Sequence, residues 1–530
     1  MPETPVFSTA AVAAPHDLAA RSGRDILAQG GNAVEAMVAM AATIAVVYPH
    51  MNGMGGDGFW VVAEPNGRVR GFEACGPAGE HATIARYRAK GYETLPPRGP
   101  DAALTVAGAI GGWRLACDYS RSLGGGLPLD VLLGDALRYA RDGYPVSRSE
   151  PLYEPKEIEA LKAAPGFQDF FLVDGKSPPE GMIRKAPRLA DVLSQLANAG
   201  LDDFYRGDVA REIAADLAEI GAPVTRADLA RFEARVVEPL SLRYRDATVY
   251  NLPPPTQGLA SLVILGIHER FGVARPDSLE HHHALIEASK RALRIRDRVV
   301  TDPAHLTADP ASFLTPRALE EQASRIRSDR AAPFPLPPGD GDTIWMGAID
   351  ARGVAVSYIQ SIYWEFGSGC VLRRTGLHWQ NRGVSFALDE GARNPLQPRR
   401  KPFHTLNPAL ARFDDGRVAP YGSMGGDGQP QFQAQVLTRY MGGQGVADAV
   451  DGPRWLLGRT WGSPSTSLKV ENRFDSSLLE RLSRMGHEIE EMGAPYLDAL
   501  GHAGLLVKHP RDGRVEASHD PRSDGGALGL

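Results

Sequence analysis

The stretch from Gly30 to Val47 constrains the fold more than any other part of the chain. Asn32 is a favourable N-cap, and Glu35, three residues later, completes a capping-box pattern. The residues that follow are rich in alanine and apolar on nearly every side, and the pattern ends before Pro49. A helix without a polar face must be buried on all sides. The chain therefore needs a large core around this helix, and 530 residues are enough to bury one without disulfides.

A glycine-rich loop follows this predicted helix, from Asn52 to Gly58. Its glycine content excludes regular structure and indicates positive φ angles or a close approach of the backbone to another group. The glycines follow a helix rather than a strand, and their spacing is not GxGxxG, so a dinucleotide-binding loop is excluded. The string Met-Gly-Gly-Asp-Gly recurs at 424–428, but two short matches do not make a repeat.

The second informative region begins at residue 331. Residues 331–342 contain four prolines and two glycines, which predicts an extended linker. Residues 343–350 and 354–362 read as two strands, joined by a three-residue loop that ends in Gly353, a common hairpin form. This loop pairs Asp350 with Val354 and, counting back along the ladder, places Thr343 opposite Ser361. A simple interdomain linker and an ordinary strand start would have the same pattern.

Composition excludes several classes of function. The net charge is −6, from 58 basic and 64 acidic residues, which argues against nucleic acid and anionic membranes as partners. The three cysteines are far apart, so we expect neither disulfides nor a cysteine metal site, and Cys370 is expected to be a small buried apolar residue. The first residues lack a signal-peptide pattern and the longest apolar run is too short to span a bilayer, so a cytoplasmic location is expected.

The triplet His281-His282-His283 invites a metal site. Adjacent helix positions point in different directions and share one ion with difficulty, so we expect a helix face near the surface instead. No metal and no cofactor is predicted for this chain.

The motifs, taken together, resemble those of the γ-glutamyltranspeptidase family over nearly the whole chain. They are Gly30 to Ala36, Pro49 to Phe59, His283 to Asp297, Phe366 to Gly369, Ser423 to Gly426 and Asp520 to Arg522. The resemblance implies an α+β fold, the four-layer αββα sandwich of N-terminal nucleophile hydrolases. It also implies a proenzyme that cleaves itself between Asp342 and Thr343 into a large subunit, 1–342, and a small subunit, 343–530, within one intertwined unit.

The chemistry of such a cut follows from the residues. A threonine hydroxyl is a weak nucleophile until a base takes its proton, and a free α-amino group on the same residue can do so. Cleavage before Thr343 would create the nucleophile and its base together. By resemblance, the N–H groups of Gly425 and Gly426 bind the oxyanion, and Ser361 supports the nucleophile.

The chain departs from the family where glutathione-cleaving members hold the glutamate. An arginine for the α-carboxylate is missing from residues 71–77, and the aspartate for the α-amino group is matched by Ser385. Three further recognition positions, an asparagine and two serines, are matched by Tyr363, His404 and Thr405. A substrate ammonium without a counter-charge would be poorly bound.

Arg382, His404 and Lys401 are expected to gather positive charge near the same cleft, although Lys401 fits an ordinary surface charge equally well. Such a cleft suits a small anionic amide without an α-amino group. We therefore expect substrate binding by Tyr363, Arg382, His404 and Thr405, and the pattern looks most like the oxamate amidohydrolase branch.

Other functions remain open at this point. One is a γ-glutamyltransferase or glutathione hydrolase with a rebuilt glutamate site, and another is a cephalosporin-type acylase. A third is an uncleaved relative that only binds ligand, which a gel with one band rather than two would reveal. The expected partners are a small-molecule amide substrate and the two subunits of the same precursor, with association into a dimer of heterodimers left open.

Overall fold

The computed structural model describes residues 3–152, 155–273, 275–334, 343–458 and 465–530. The strands, in chain order, are β1 Val6–Phe7, β2 Ala11–Ala14, β3 Asp57–Ala63, β4 Val69–Ala74, β5 Tyr144–Pro145, β6 Ile183–Arg184, β7 Arg235–Val237, β8 Leu240–Tyr244, β9 Ala247–Asn251, β10 Ile344–Ile349, β11 Ala355–Ser361, β12 Ala409–Phe413, β13 Val418–Ser423, β14 Trp455–Leu457, β15 Leu468–Val470, β16 Ile489–Glu491, β17 Ala503–Lys508, β18 Val515–His519 and β19 Gly526–Gly529.

The α-helices are α1 Asp17–Ala28, α2 Ala33–Val47, α3 Ile84–Ala89, α4 Ala109–Ser122, α5 Leu129–Asp142, α6 Pro155–Leu161, α7 Phe167–Phe171, α8 Pro187–Ala199, α9 Asp203–Arg206, α10 Asp208–Glu219, α11 Arg226–Arg231, α12 Gly258–Glu269, α13 Leu279–Val299, α14 Pro316–Ala323, α15 Gln429–Met441, α16 Val446–Asp451 and α17 Ser476–Arg484. Among the described helices, none has both the length and the apolar character that crossing a bilayer requires.

Two antiparallel sheets of seven strands form the centre of the molecule. One has the order β19-β2-β10-β11-β3-β4-β7, and the other has the order β1-β18-β17-β13-β12-β9-β8. Both sheets combine strands from before residue 335 with strands from after residue 342. The two parts of the sequence on either side of the predicted cut are therefore interleaved in one sandwich.

Helices cover the outer face of each sheet. On the first sheet lies α2, which is buried over its whole length and is capped as predicted, because Asn32 accepts from the N–H of Glu35 while Glu35 accepts from the N–H of Asn32. It packs with α1, α4 and α5, and α12, α13 and α15 cover the second sheet. The predicted αββα layering is confirmed.

The inner layer of the sandwich is organised around Trp345 of β10. Its indole N–H donates to Ser357 Oγ at 2.9 Å, and its ring lies against the opposite sheet. A Cβ atom added at Gly422 or at Gly504 would lie 2.1 Å from this ring. Glycine at these two positions lets the sheets close over the indole.

The hairpin from β10 to β11 has the predicted register. Residues 344–349 pair with residues 360–355, the N–H of Asp350 donates to the carbonyl of Val354 at 3.1 Å, and Gly353 has a φ of 91°. One further step along the ladder brings Thr343 opposite Ser361, as the loop length predicts.

The same row continues into the next strand, because Ser361 pairs with Asp57 at the start of β3. Side chains of residues paired across a sheet point to the same face. Thr343 lies two residues before Trp345, and Asp57 lies two residues before Phe59. Both aromatic side chains face the inner layer. Thr343, Ser361 and Asp57 therefore form the last row at this end of the sheet, and their side chains point to its inner face.

Candidate active site

Thr343 lies fully buried directly before β10. Its hydroxyl oxygen accepts a hydrogen bond from Nε2 of Gln429 at 3.4 Å. Gln429 begins α15, directly after the second Met-Gly-Gly-Asp-Gly string. The predicted cleavage site after Asp342 lies outside the described residues, which resume at Thr343.

A network of buried amides orients Gln429. Nδ2 of Asn407 donates to Oε1 of Gln429 at 3.0 Å and to the carbonyl of Thr405 at 2.8 Å, while Ser261 Oγ donates to Oδ1 of Asn407 at 2.8 Å. Since the acceptor oxygen of Gln429 is engaged by Asn407, its NH₂ group is left to face Thr343. Neither Gln429 nor Asn407 was among the residues predicted from sequence.

The turn that holds Gly425 and Gly426 lies at the same place. Both residues have positive φ, 115° and 49°, and a Cβ on Gly425 would lie 2.7 Å from the ring of Phe432. Gly426–Gly428 forms a single helical turn that leads into α15. The first N–H groups of a helix have no acceptor within it and carry its positive dipole end, so this turn suits a developing oxyanion.

Gln257 fixes this turn against the segment before β12. Its Nε2 donates to the carbonyls of both Gly426 and Thr405 at 2.7 Å. Behind it, the guanidinium of Arg296 bonds Oε1 of Gln257 at 2.9 Å and a carboxylate oxygen of Asp427 at 2.7 Å. The turn that holds Gly425 and Gly426 and the segment that contains Thr405 are thus held rigidly together.

Arg382 is a buried cation beside the segment that contains Thr405, with 1% of its surface exposed. Its guanidinium donates to the carbonyl of Phe403 and to Thr405 Oγ1, each at 3.2 Å, and lies 3.5 Å from the centre of the Tyr363 ring. Burial lowers the pKa of Arg382 to about 10, so it is still charged at neutral pH. Within the part of the chain that the structure describes, it forms no ion pair with a carboxylate.

Tyr363 lies between Arg382 and the row formed by Thr343, Ser361 and Asp57. Its backbone N–H donates to Ser361 Oγ at 2.7 Å, and its φ is 83°, which is unfavourable for a residue with a side chain. Such a conformation costs on the order of 1–3 kcal/mol and persists only where the surroundings hold it. The stacking on Arg382 and the bond to Ser361 are two contacts that stabilise it here.

Asp57 and His404 form a second buried pair in this site, with Nε2 and Oδ2 3.4 Å apart. Oδ1 of Asp57 accepts from the N–H groups of Gly76 and Gly108, at 3.1 and 2.9 Å. Burial raises the pKa of Asp57 to about 7 and, together with the charge of Arg382, holds the pKa of His404 well below its usual value. Asp57 was missed as a site residue, although it lies in the glycine loop that the sequence singled out.

The prediction that Arg382, His404 and Lys401 gather positive charge is wrong for His404 and Lys401. His404 is neutral because it is buried beside a cation. Lys401 forms an ion pair with the buried carboxylate of Glu73, which also binds Arg235. Of these three residues, Arg382 is the one whose charge has no ion-pair partner among the described residues.

A cleft of about 780 Å³ opens beside Tyr363. Trp364, Phe386 and Phe403 contribute its aromatic lining, and Arg296 and Asp427 lie at the side of the oxyanion turn. Ser385, matched to the family's aspartate, also lines it, and its hydroxyl has no hydrogen-bond partner among the described residues.

The chain is similar to known proteins over nearly its whole length. The family model for gamma-glutamyltranspeptidase matches residues 19–530. The oxamate amidohydrolase proenzyme of Klebsiella pneumoniae subsp. pneumoniae is 50% identical over 518 residues, which cover 97% of each chain. The glutathione hydrolase-like YwrD proenzyme of Bacillus subtilis is 38% identical and covers 98% of each chain. The chain belongs to the gamma-glutamyltranspeptidase family.

The solved structures of similar proteins confirm the fold. The cephalosporin acylase from Bacillus halodurans superposes with a TM-score of 0.91 at 32% identity, covering 100% of this chain and 97% of the other. The gamma-glutamyltranspeptidase from Pseudomonas nitroreducens superposes with a TM-score of 0.55 over 60% of this chain. Membership confirms the predicted class, a hydrolase of amide C–N bonds with an N-terminal nucleophile.

The histidine triplet of α13 differs from expectation in one respect. All three rings are buried rather than near the surface. His281 bonds Thr438 and His282 accepts from the indole of Trp455, while His283 points elsewhere and bonds His487 at 2.9 Å. His281 and His282 both approach Asp277, and His283 approaches Glu287 and His487, but the carboxylates of these two groups are occupied by Arg439 and Lys290.

Proposed function

We propose that this protein is a self-processing hydrolase of oxamate or of a closely similar small carboxylate amide. Thr343 is the nucleophile, released when the peptide bond after Asp342 is cleaved. The observation that carries the substrate class is the buried guanidinium of Arg382, which lacks a carboxylate partner among the described residues. The 50% identity with an oxamate amidohydrolase proenzyme supports the same assignment.

The reaction follows from the groups around Thr343. The α-amino group of the processed chain, with an ordinary pKa of about 7.7–8.0, takes the hydroxyl proton while Oγ1 attacks the amide carbon. The N–H groups of Gly425 and Gly426 stabilise the oxyanion, each contributing about 2.7–4 kcal/mol. The proton then passes to the leaving nitrogen, ammonia departs, and water hydrolyses the acyl ester to a dicarboxylate.

The support for a small anion comes from charge balance. A substrate carboxylate would compensate the charge of Arg382, which forms no ion pair with a carboxylate among the described residues. A γ-glutamyl group would bring an α-ammonium as well. At the matched position Ser385 offers a hydroxyl and no charge, and His404 is neutral. A buried substrate charge without a counter-charge lowers affinity strongly, so we expect γ-glutamyl substrates to bind poorly.

An acylase for larger amides is the second candidate. The cleft of about 780 Å³ exceeds the needs of a molecule with six non-hydrogen atoms, and its walls carry four aromatic residues, Tyr363, Trp364, Phe386 and Phe403. The overall similarity to a cephalosporin acylase points the same way. In this case the carboxylate of a larger substrate would still bind Arg382.

A substrate panel tests the proposal. We expect kcat/KM for oxamate to exceed that for γ-glutamyl-p-nitroanilide by a wide margin, and Arg382→Met to lower the oxamate value by about 30-fold or more, the loss typical of removing one partner of a buried charge pair. Arg88→Met, at an exposed residue that lines the cleft beside Tyr363, is the matched control and should change little. Equal or better hydrolysis of the γ-glutamyl compound would instead favour a glutathione hydrolase, and preference for a bulky acyl amide would favour the acylase.

A further inference from the structure

Residues 331–334, the first part of the predicted linker, lie outside the helices and strands and are bound mainly by side chains of α13. This anchored segment contains Ala331, Ala332, Pro333 and Phe334. The N–H of Ala331 donates to the carbonyl of Met485 at 2.7 Å. The peptide groups that follow are bound by residues of α13. In detail, Ala332 N–H donates to both carboxylate oxygens of Glu287 at 3.2 Å, Lys290 Nζ donates to the carbonyl of Ala332 at 2.6 Å, and Arg294 Nη2 donates to the carbonyl of Pro333 at 2.7 Å.

These three charged residues recur along one face of α13. Positions 287, 290 and 294 are spaced by three and four, so they follow one another along the helix surface. The anchored segment runs beside them in the same direction as the helix, from 287 towards 294. The guanidinium of Arg294 also lies 5.9 Å from the centre of the Phe334 ring, and that ring packs against the core beneath the second sheet.

The ion pair at the centre of this face is unusual because it is buried. Glu287 and Lys290 are 2.6 Å apart, with 2% and 5% of their side chains exposed. Burying two charges is costly, and an apolar pair would often stabilise the fold as well. Here each charge has a second partner, since Glu287 accepts the N–H of Ala332 and Lys290 donates to its carbonyl. The pair is thus arranged to hold one residue of the chain.

Two residues after Arg294, the same helix contacts the active site. Arg296 binds Asp427 and Gln257, which support the Gly425–Gly426 turn. Eight residues, 335–342, connect Phe334 to Thr343. One rigid element therefore fixes both the point where the linker starts and the turn against which the scissile peptide would react.

We propose that Glu287, Lys290 and Arg294 are positioning residues for self-cleavage. They hold the anchored segment in the precursor, so that residues 335–342 start from a fixed point, and they retain the end of the large subunit after the cut. Fixing both ends of a connecting segment raises the fraction of conformations in which its terminal peptide bond meets the catalytic groups. The inference rests on the proposed function, because it requires cleavage at Thr343.

The test compares cleavage of the precursor with the activity of the processed enzyme. Precursor is made by cell-free synthesis, and its conversion into two chains is followed on gels over time. Arg294→Ala is the variant of choice, because this side chain is only half-buried and its loss leaves the Glu287–Lys290 pair intact. We expect conversion to slow by about tenfold, the effect of one hydrogen bond from a charged donor. Arg294→Lys, which can still donate to the carbonyl of Pro333, should restore most of the rate.

Arg298→Ala is the matched control, because Arg298 is an exposed arginine on the same helix whose hydrogen bond goes to the carbonyl of Arg294. It should convert at the wild-type rate. For all variants, kcat and KM of the two-chain fraction should equal those of the wild type, and the melting temperature should stay within a few degrees. Wild-type conversion by Arg294→Ala, or a lower kcat with unchanged conversion, would overturn the inference alone. A wild-type chain that is never cleaved would overturn the proposed function together with it.

Discussion

Replacing Asp57 with asparagine should change the free energy of unfolding by an amount that depends on pH. The stability of the variant relative to the wild type should be greater at high pH than at low pH. Asp57 is completely buried, and burial raises its pKa from 3.8 to about 7. Asparagine keeps the oxygen that accepts from Gly76 and Gly108, and its NH₂ group faces His404. The substitution therefore removes the charge and preserves the contacts.

The sign and size of the effect follow from proton linkage. Between about pH 4 and pH 7 the folded chain keeps a proton on Asp57 that the unfolded chain has lost, so the wild type loses stability as the pH rises through this range. Above about pH 7 the folded carboxyl also ionises and the loss stops growing. The amide of the Asp57→Asn variant cannot lose a proton. The stability of this variant relative to wild type should increase by about 2–3 kcal/mol from pH 5 to pH 8.

The assay is urea unfolding at several pH values, in a Thr343→Ala background that keeps the chain in one piece. Asp118→Asn serves as the control, because it makes the same chemical change at an exposed partner of Arg121 on α4. A difference between the wild type and Asp57→Asn that is constant from pH 5 to pH 8 would refute the assignment of a buried, protonated Asp57.

Further predictions concern the catalytic row. Thr343→Ala should abolish both cleavage and hydrolysis, on gels and in an ammonia-release assay, because one hydroxyl serves both steps. Ser361→Ala should slow both less severely, by the equivalent of about 0.5–1.5 kcal/mol for one neutral hydrogen bond, and unchanged rates would contradict its supporting role. Gln429→Met, which removes the donor to Thr343 Oγ1, should lower kcat more than it raises KM, and the reverse would make Gln429 a binding residue. The KM for oxamate should rise above about pH 7 as Asp57 ionises near Arg382, and it should not rise in the Asp57→Asn variant.

The parts of the site that could be predicted from sequence depend on local geometry. A capping box and a turn length act over a few residues, so Asn32 with Glu35, and the hairpin around Gly353, form as their patterns indicate. Because strand side chains alternate with a period of two, the correct register also placed Thr343 opposite Ser361.

The rest depends on contacts between distant residues. Lys401 looked like a free charge, since nothing near it in sequence shows that Glu73 will be its partner. The neutral state of His404 arises from burial beside Arg382, and burial of a polar residue has no local pattern. The bond from Gln429 to Thr343 joins a helix start to a strand start, 86 residues apart, through an amide network that only the packed sandwich assembles.

The central claim is that Thr343 becomes the first residue of a separate chain. Intact mass and N-terminal sequencing of the purified protein test it directly. We predict two polypeptides, 1–342 and 343–530, with the smaller beginning Thr-Ile-Trp-Met and with amide hydrolysis only in the cleaved material. A single intact chain that hydrolyses amides, or a small chain that begins at another residue, would contradict it.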